Sequence, residues 1–122
     1  MVRKTALVVD DFAVVRNTIR GIIEPKGIDV IEAENGRKGL ELLKEMPQLP
    51  DMIFVDLNMP EMDGLEFCEH LYGEIKVPII MVTTEIKEEL KSKAKLYGVK
   101  CWVMKPITPD RIMKAVELVV RG

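Results

Sequence analysis

The chain has 122 residues, with 18 basic against 20 acidic side chains, a formal charge of -2, 48% hydrophobic residues and 31% charged ones. That is chain for one hydrophobic core and no second, a globular composition, and none of the basic excess of a nucleic-acid binder. No apolar run approaches the roughly 18 residues that cross a membrane, residues 1–5 are too short and polar for a secretory signal, and Cys68 and Cys101 make neither a disulfide framework nor a CxxC zinc pair, which together point to the cytosol.

Residues 6–9 form a β-branched-rich run that stops at Asp10-Asp11. Over residues 12–24 the apolar side chains Phe12, Val15, Ile19, Ile22 and Ile23 recur at helical spacing, and Pro25-Lys26-Gly27 ends the helix. Residues 28–31 read as a second strand. Asn35-Gly36 opens a second helix with Leu40, Leu42 and Leu43 inward, and Met46-Pro47 closes it. Residues 52–55 are a third strand, ending at Asp56. Asp63 and Glu66 have the spacing of a capping box and start a short helix reaching about Tyr72. Residues 77–82 are strand four, with Pro78 near its start, where a missing N–H is tolerated. Thr84 is read as the N-cap of a helix through Tyr97, with Gly98 as its stop. Residues 100–104 are strand five. Thr108-Pro109-Asp110 supplies an N-cap, a Pro at the first helical position and an acid in the first turn. The last helix then runs nearly to Gly122.

Five strands and five helices in strict alternation argue for a parallel sheet covered on both faces. Five units cannot close the usual eight-unit barrel, so an open, doubly wound α/β sheet is expected. Ligands of such sheets bind beyond the carboxyl ends of the strands. Strand one ends in Asp10-Asp11, strand three in Asp56, strand four in Thr83-Thr84 and strand five in Lys105. Strand two ends in Glu32-Ala33-Glu34, which reads as unremarkable.

Three carboxylates close together repel, and a divalent hard cation relieves that cost. Oxygen ligands without His or Cys favour Mg²⁺ or Mn²⁺ over zinc. Asp11 and Asp56 are expected as direct ligands, and Asp10 directly or through water. Lys105 offers a fixed positive charge and Thr83 a neutral donor for phosphoryl oxygens. Asp56 is the carboxylate nucleophile. Taken singly, each residue has an ordinary reading as turn former, helix cap or solvated charge. Their convergence on one edge carries the argument.

These residues resemble the receiver domain of two-component response regulators, and the resemblance spans the chain, residues 1–122. It rests on Asp10-Asp11, on Val-Asp-Leu-Asn-Met-Pro-Glu-Met-Asp-Gly at 55–64, on Met81-Val-Thr83 and on Val103-Met-Lys-Pro106. Phe12 after the acid pair and Met-Val-Thr-x-Glu at 81–85 are similar to the stand-alone chemotaxis type. The resemblance implies a flavodoxin-like strand order of 2-1-3-4-5. It implies that Asp56 is phosphorylated, that Asp10, Asp11, Asp56 and the backbone carbonyl of Asn58 hold Mg²⁺, and that Thr83 and Lys105 bind the phosphoryl group. It implies a cis bond before Pro106, and places Trp102 at an aromatic switch position where Tyr or Phe is commoner. Asn58 and Glu85 match positions that tune dephosphorylation, which implies a short-lived phosphoryl group. The implied partners are a histidine kinase or phosphotransfer protein and a downstream protein target. The target would be met by the face of helix four, strand five and helix five, including Lys91, Lys95, Trp102, Thr108 and Arg111. Lys87, Lys91 and Lys95 lie at i, i+4 spacing, and local pairs such as Glu88 with Lys91 are their ordinary use.

The expectation is a monomeric cytoplasmic signalling domain, not an enzyme, with a phosphorelay intermediate as the alternative because it shares the same residues. An aspartate-dependent phosphatase usually has a second Asp two residues after the nucleophile, where this chain has Asn58. A module that had lost phosphorylation would lack an acid, Thr83 or Lys105. The absence of a linker after Val120 leaves both a stand-alone chain and the receiver part of a longer regulator open. His70 is expected on the surface, and Cys68 and Cys101 as packing residues.

Overall fold

The structure, a computed structural model, describes residues 3–121. Gly122, to which the sequence carries the last helix, lies outside them, as do Met1 and Val2. The strands are β1 (Lys4–Val9), β2 (Ile28–Ala33), β3 (Met52–Asp56), β4 (Ile79–Thr83) and β5 (Val99–Met104). The helices are α1 (Ala13–Ile23), α2 (Gly36–Glu45), α3 (Gly64–Leu71), α4 (Glu88–Leu96) and α5 (Pro109–Arg121), with a 3-10 turn over Glu24–Lys26 after α1. All pairings are parallel and the order is β2-β1-β3-β4-β5. The expected doubly wound sheet and its strand order are therefore found.

Alternation along each strand sorts the core into two layers. Leu7, Val9, Ile53, Val55 and Met81 face α2, α3 and α4, where they meet Phe67, Leu43 and Ala94. Ala6, Val8, Phe54, Ile80 and Val82 face α1 and α5, where they meet Ile19, Ile23 and Ile112. Each Val, Leu, Ile, Phe or Met among them contributes about 1.5–3 kcal/mol by leaving water. The central strands are buried on both faces, which is why they read as unbroken apolar runs.

Several boundaries differ from the sequence reading. Phe12 stands before the first helical residue and is 59% exposed, so it is no part of the apolar stripe of α1. The fourth strand begins at Ile79 rather than 77, because Pro78 has no N–H to give the ladder; Ile79 N–H is the first to donate across, to Gly98 at 3.1 Å. The fourth helix does not start from Thr84. It starts at Glu88, with Lys87 at the N-cap position and no side-chain cap. Thr83 explains the delay: its hydroxyl donates to the Glu85 carbonyl at 2.9 Å and accepts from the Glu85 N–H at 3.3 Å, which holds the chain in a local turn. Leu40 and Leu42 are half-buried beside the fully buried Leu43. Cys101 is likewise half-buried rather than fully inside, while Cys68 is enclosed and its thiol is pushed up to about 12 by burial.

The capping box at α3 is formed in both directions. Asp63 Oδ1 accepts from Glu66 N–H at 2.8 Å, and Glu66 Oε1 accepts from Asp63 N–H at 3.1 Å. Asp63→Ala is expected to cost about 1 kcal/mol, read as a lower urea midpoint at unchanged slope.

Candidate functional site

The parallel register brings four strand ends to one edge. Val9 lies opposite Val55 and Asp56 opposite Val82, so the acid pair after β1 stands beside the last residue of β3. One carboxylate oxygen from each of Asp10, Asp11 and Asp56 lies within 4.8 Å of the others. Asp10 and Asp56 are 2% and 4% exposed. Lys105 Nζ sits 3.5 Å from Asp10 Oδ2 and 3.5 Å from Asp56 Oδ2. One ammonium group thus faces two buried carboxylates, with a third beside them.

Backbone donors supply part of the balance. Phe12 N–H donates to Asp10 Oδ1 at 2.9 Å and Asn58 N–H donates to Asp56 Oδ1 at 3.2 Å. These contacts do not cancel the cost of burying charge. Burial pushes the Asp10 carboxyl above its ordinary range, and the neighbouring Asp11 charge adds to that against the pull of Phe12 N–H and Lys105. Burial does the same to Asp56, reinforced by the charge of Asp10 and opposed by Lys105 and Asn58 N–H. Asp11 Oδ1 is buried with no hydrogen-bond partner. An orphaned carboxylate oxygen in an all-oxygen cluster of excess negative charge fits a hard divalent cation.

The other sequence-derived residues fall around this cluster. Thr83 is fully buried at the end of β4, and its hydroxyl is engaged with Glu85. Lys105 N–H donates to the Thr83 carbonyl at 2.8 Å, which fixes Lys105 next to β4. The Lys105–Pro106 peptide is cis. Asn58 and Glu85 are exposed at the rim, and the Glu85 carboxylate lies 3.8 Å from Lys87 Nζ. Trp102 is half-buried and packs against the core layer under α2, α3 and α4.

On the face of α4, β5 and α5, Lys95 is exposed and Lys91 is paired with Glu88 at 3.2 Å. Arg111 is turned back to its own loop, donating to the Met104 carbonyl at 3.1 Å and the Pro106 carbonyl at 3.2 Å. Thr108 Oγ1 accepts from Arg111 N–H at 3.2 Å. His70 is exposed.

One group escaped the sequence reading. Glu32, at the end of β2, accepts from Arg16 Nε at 2.8 Å and from Arg20 Nε at 2.8 Å, and Arg16 also reaches the carbonyl of Asp10. The only hint in sequence is that Arg16 and Arg20 share one side of a helix.

A doubly wound parallel sheet thus carries an acidic cluster and one lysine over its carboxyl edge, the place where ligands of such sheets bind. The chain belongs to the response regulator receiver domain family, whose model matches residues 6–117. Within that family it is similar to CheY proteins. It is 34% identical over 113 residues to the chemotaxis protein CheY of Bacillus subtilis, covering 91% of this chain and 92% of that one. The solved structure of the Vibrio cholerae chemotaxis protein CheY4 superposes with a TM-score of 0.88 at 30% identity, covering 97% of this chain and 99% of that one. The sensor histidine kinase CheAY of Helicobacter pylori is 34% identical over 114 residues, which is 91% of this chain but 14% of that protein. The chain therefore spans nearly the whole of some relatives and a small part of others. Among the described residues no helix is long and apolar enough to cross a membrane.

Proposed function

We propose that this chain is a phosphoryl-operated receiver of a two-component system. The Asp56 carboxylate takes a phosphoryl group from a phosphohistidine of a histidine kinase or phosphotransfer protein, and the change is read by a protein partner on the α4–β5–α5 face. The observation that carries this reading is the cluster of Asp10, Asp11 and Asp56 within 4.8 Å, with Lys105 Nζ 3.5 Å from two of its members.

In the transfer, an Asp56 oxygen attacks phosphorus as the donor's phosphorus–nitrogen bond breaks. The imidazole leaves with the electron pair, and Asp56 becomes an acyl phosphate. Asp10, Asp11, Asp56 and the carbonyl of Asn58 would hold Mg²⁺, or Mn²⁺ on the same donor set. When bound, that ion supplies positive charge against the phosphoryl oxygens. Lys105 Nζ, 3.5 Å from both Asp10 Oδ2 and Asp56 Oδ2, is the cation that would pair with a phosphoryl oxygen on Asp56. Asn58 and Glu85, both exposed at the rim, are the side chains that would tune the approach of a hydrolytic water. That water attacks phosphorus, the bond to Asp56 breaks, and inorganic phosphate leaves with the carboxylate restored.

The switch is a matter of differential contact. Thr83 can donate to a phosphoryl oxygen only by giving up the Glu85 carbonyl, which frees the turn before α4. A ligand must favour one state by about 5.5 kcal/mol to move a population from 1:99 to 99:1. Hydrogen bonds from Thr83 and Lys105 to a charged phosphoryl group are worth about 1.5–3 kcal/mol each, less the Glu85 contact that Thr83 gives up and the carboxylate contacts that Lys105 already makes, and only that difference drives the switch. The chain acts in the cytoplasm as a monomer and assists its own phosphorylation and dephosphorylation without being a turnover enzyme.

The test is intact-mass measurement after incubation with acetyl phosphate and Mg²⁺, with Trp102 fluorescence followed in parallel. The expected result is addition of one phosphoryl group, blocked by chelator, with a fluorescence change on the same time course. After donor removal both signals return within minutes rather than hours. A chain that gains no phosphoryl mass with donor and Mg²⁺ present is not a phosphoryl switch.

A further inference from the structure

The acid pair sits on a loop whose aim depends on few bonds. Asp10 N–H donates to the Ala33 carbonyl at 3.1 Å, and Phe12 N–H donates to Asp10 Oδ1 at 2.9 Å. Neither holds the carbonyl of the peptide that joins Asp10 to Asp11. That carbonyl accepts from Arg16 Nη1 at 2.6 Å. Arg16 stands on α1, and its Nε donates to Glu32 Oε1 at 2.8 Å, with only 15% of its side chain exposed. Glu32 is held in turn by Arg20 at 2.8 Å, and Arg20 pairs with Glu24 at 2.6 Å. Burial pushes the Glu32 carboxyl up, but Arg16 and Arg20 together hold it below the ordinary range. The result is a strut that starts on β2, passes through one guanidinium and ends on the Asp10–Asp11 peptide.

We propose that Arg16 is a positioning residue for the acid cluster: by holding the Asp10 carbonyl against Glu32 it aims Asp11 and thereby sets the affinity for a divalent cation. This inference rests on the metal reading above. Asp11 is the member whose aim most needs an outside support, because its buried Oδ1 has no hydrogen-bond partner of its own. The planar fork of an arginine spans two acceptors at a fixed angle, which a lysine does not.

Charge gives this inference a sign that can be read. A guanidinium beside a cation site repels the cation, so deleting it should tighten cation binding if charge were its only effect. A positioning role predicts the opposite. Partners that orient metal ligands typically cost 10–100-fold in metal affinity when replaced.

The experiment measures Mn²⁺ binding from the electron paramagnetic resonance of the free ion, with Mg²⁺ by competition, alongside thermal melting in chelator. Arg16→Ala is expected to weaken Mn²⁺ binding about tenfold, at the low end for such partners, while remaining folded. Arg16→Lys keeps the charge and loses the fork, and is expected to lose about threefold. Glu32→Gln leaves Arg16 in place but loosens its anchor, and is expected to weaken binding severalfold even if Arg16→Ala does not fold. Unchanged or tighter binding in the folded Arg16 and Glu32 variants overturns the inference while leaving the metal site standing. A wild type that takes up no Mn²⁺, like the Asp11→Asn control, removes the metal reading and this inference with it.

Discussion

Asp56→Asn is expected to take up no phosphoryl group from acetyl phosphate, a loss of more than about a hundredfold, because a carboxamide is a poor nucleophile beside a carboxylate. Intact mass reads this directly. The same variant is expected to melt at a higher temperature than wild type in chelator. Asp56 is buried with its carboxyl 3.5 Å from Lys105 Nζ, and that one ammonium is shared with Asp10. Removing one buried carboxylate leaves Lys105 to Asp10 alone and ends the repulsion between the two acids. The substitution thus separates phosphorylation from folding: an Asp56→Asn chain that melts lower than wild type would point to misfolding as the cause of lost uptake.

The pH dependence has a definite direction. Burial raises Asp10 and Asp56 above their ordinary range in the folded protein. A carboxyl raised by folding binds its proton more tightly in the native state. Its contribution to stability is therefore fully present below the unfolded pKa and lost as pH rises through the folded one. In chelator, wild-type stability should fall from mildly acidic pH toward neutrality, and the fall should be smaller in Asp56→Asn. Glu32 has the opposite sign, being held low by its two arginines, so its contribution is present above the ordinary range and lost on further acidification. Urea midpoints taken across pH in chelator check both slopes. A wild type whose stability does not fall between mildly acidic and neutral pH would count against the buried-charge argument.

Gly64→Ala is expected to be the most damaging glycine-to-alanine change among the described residues. A Cβ on Gly64 would lie 2.5 Å from the Asp56 carbonyl oxygen, 2.9 Å from Leu57 Cα and 2.9 Å from Met81 Sδ. Two of these three neighbours are backbone, which cannot swing aside as a side chain does. Gly64 N–H also donates to the Leu57 carbonyl at 2.9 Å, so the start of α3 is fastened to the residue after Asp56. Overpacking a core usually costs about 1–3 kcal/mol, and the rigid backbone here places Gly64→Ala at about 3 kcal/mol. The urea midpoint should drop accordingly, and the displaced Asp56 peptide should slow phosphoryl uptake in whatever fraction remains folded. Gly21→Ala, where a Cβ meets nothing within 4 Å, is the matched control.

Much of this molecule is legible in its sequence. The run at 52–55 has no polar residue because β3 is buried on both faces, and Asp56 closes it because the ladder ends where the site begins. Parallel alternation then places Asp10, Asp56, Thr83 and Lys105 on one edge without knowledge of any side-chain contact. What failed was local competition. Thr84 has the right residue type for a cap, but Thr83 binds the next turn first and delays α4 to Glu88. Phe12 fits the helical period and still points to solvent, because it precedes the first helical residue. The Arg16–Glu32 pair was invisible for another reason. Its members stand 16 positions apart on different elements, and they meet only once β2 lies beside β1 with α1 packed against it.

The strand order also divides labour across the width of the sheet. Asp10 and Asp11 follow β1, whose outer neighbour β2 is tied to α1 by Glu32 and its two arginines. Thr83 ends β4 and Lys105 follows β5, on the flank where α4 begins without a side-chain cap and the turn before it is closed by a single hydroxyl. Asp56 stands at the seam between the two. The β2 flank is thus braced by charged side chains bridging two elements, whereas the start of α4 rests on one hydroxyl and two hydrogen bonds.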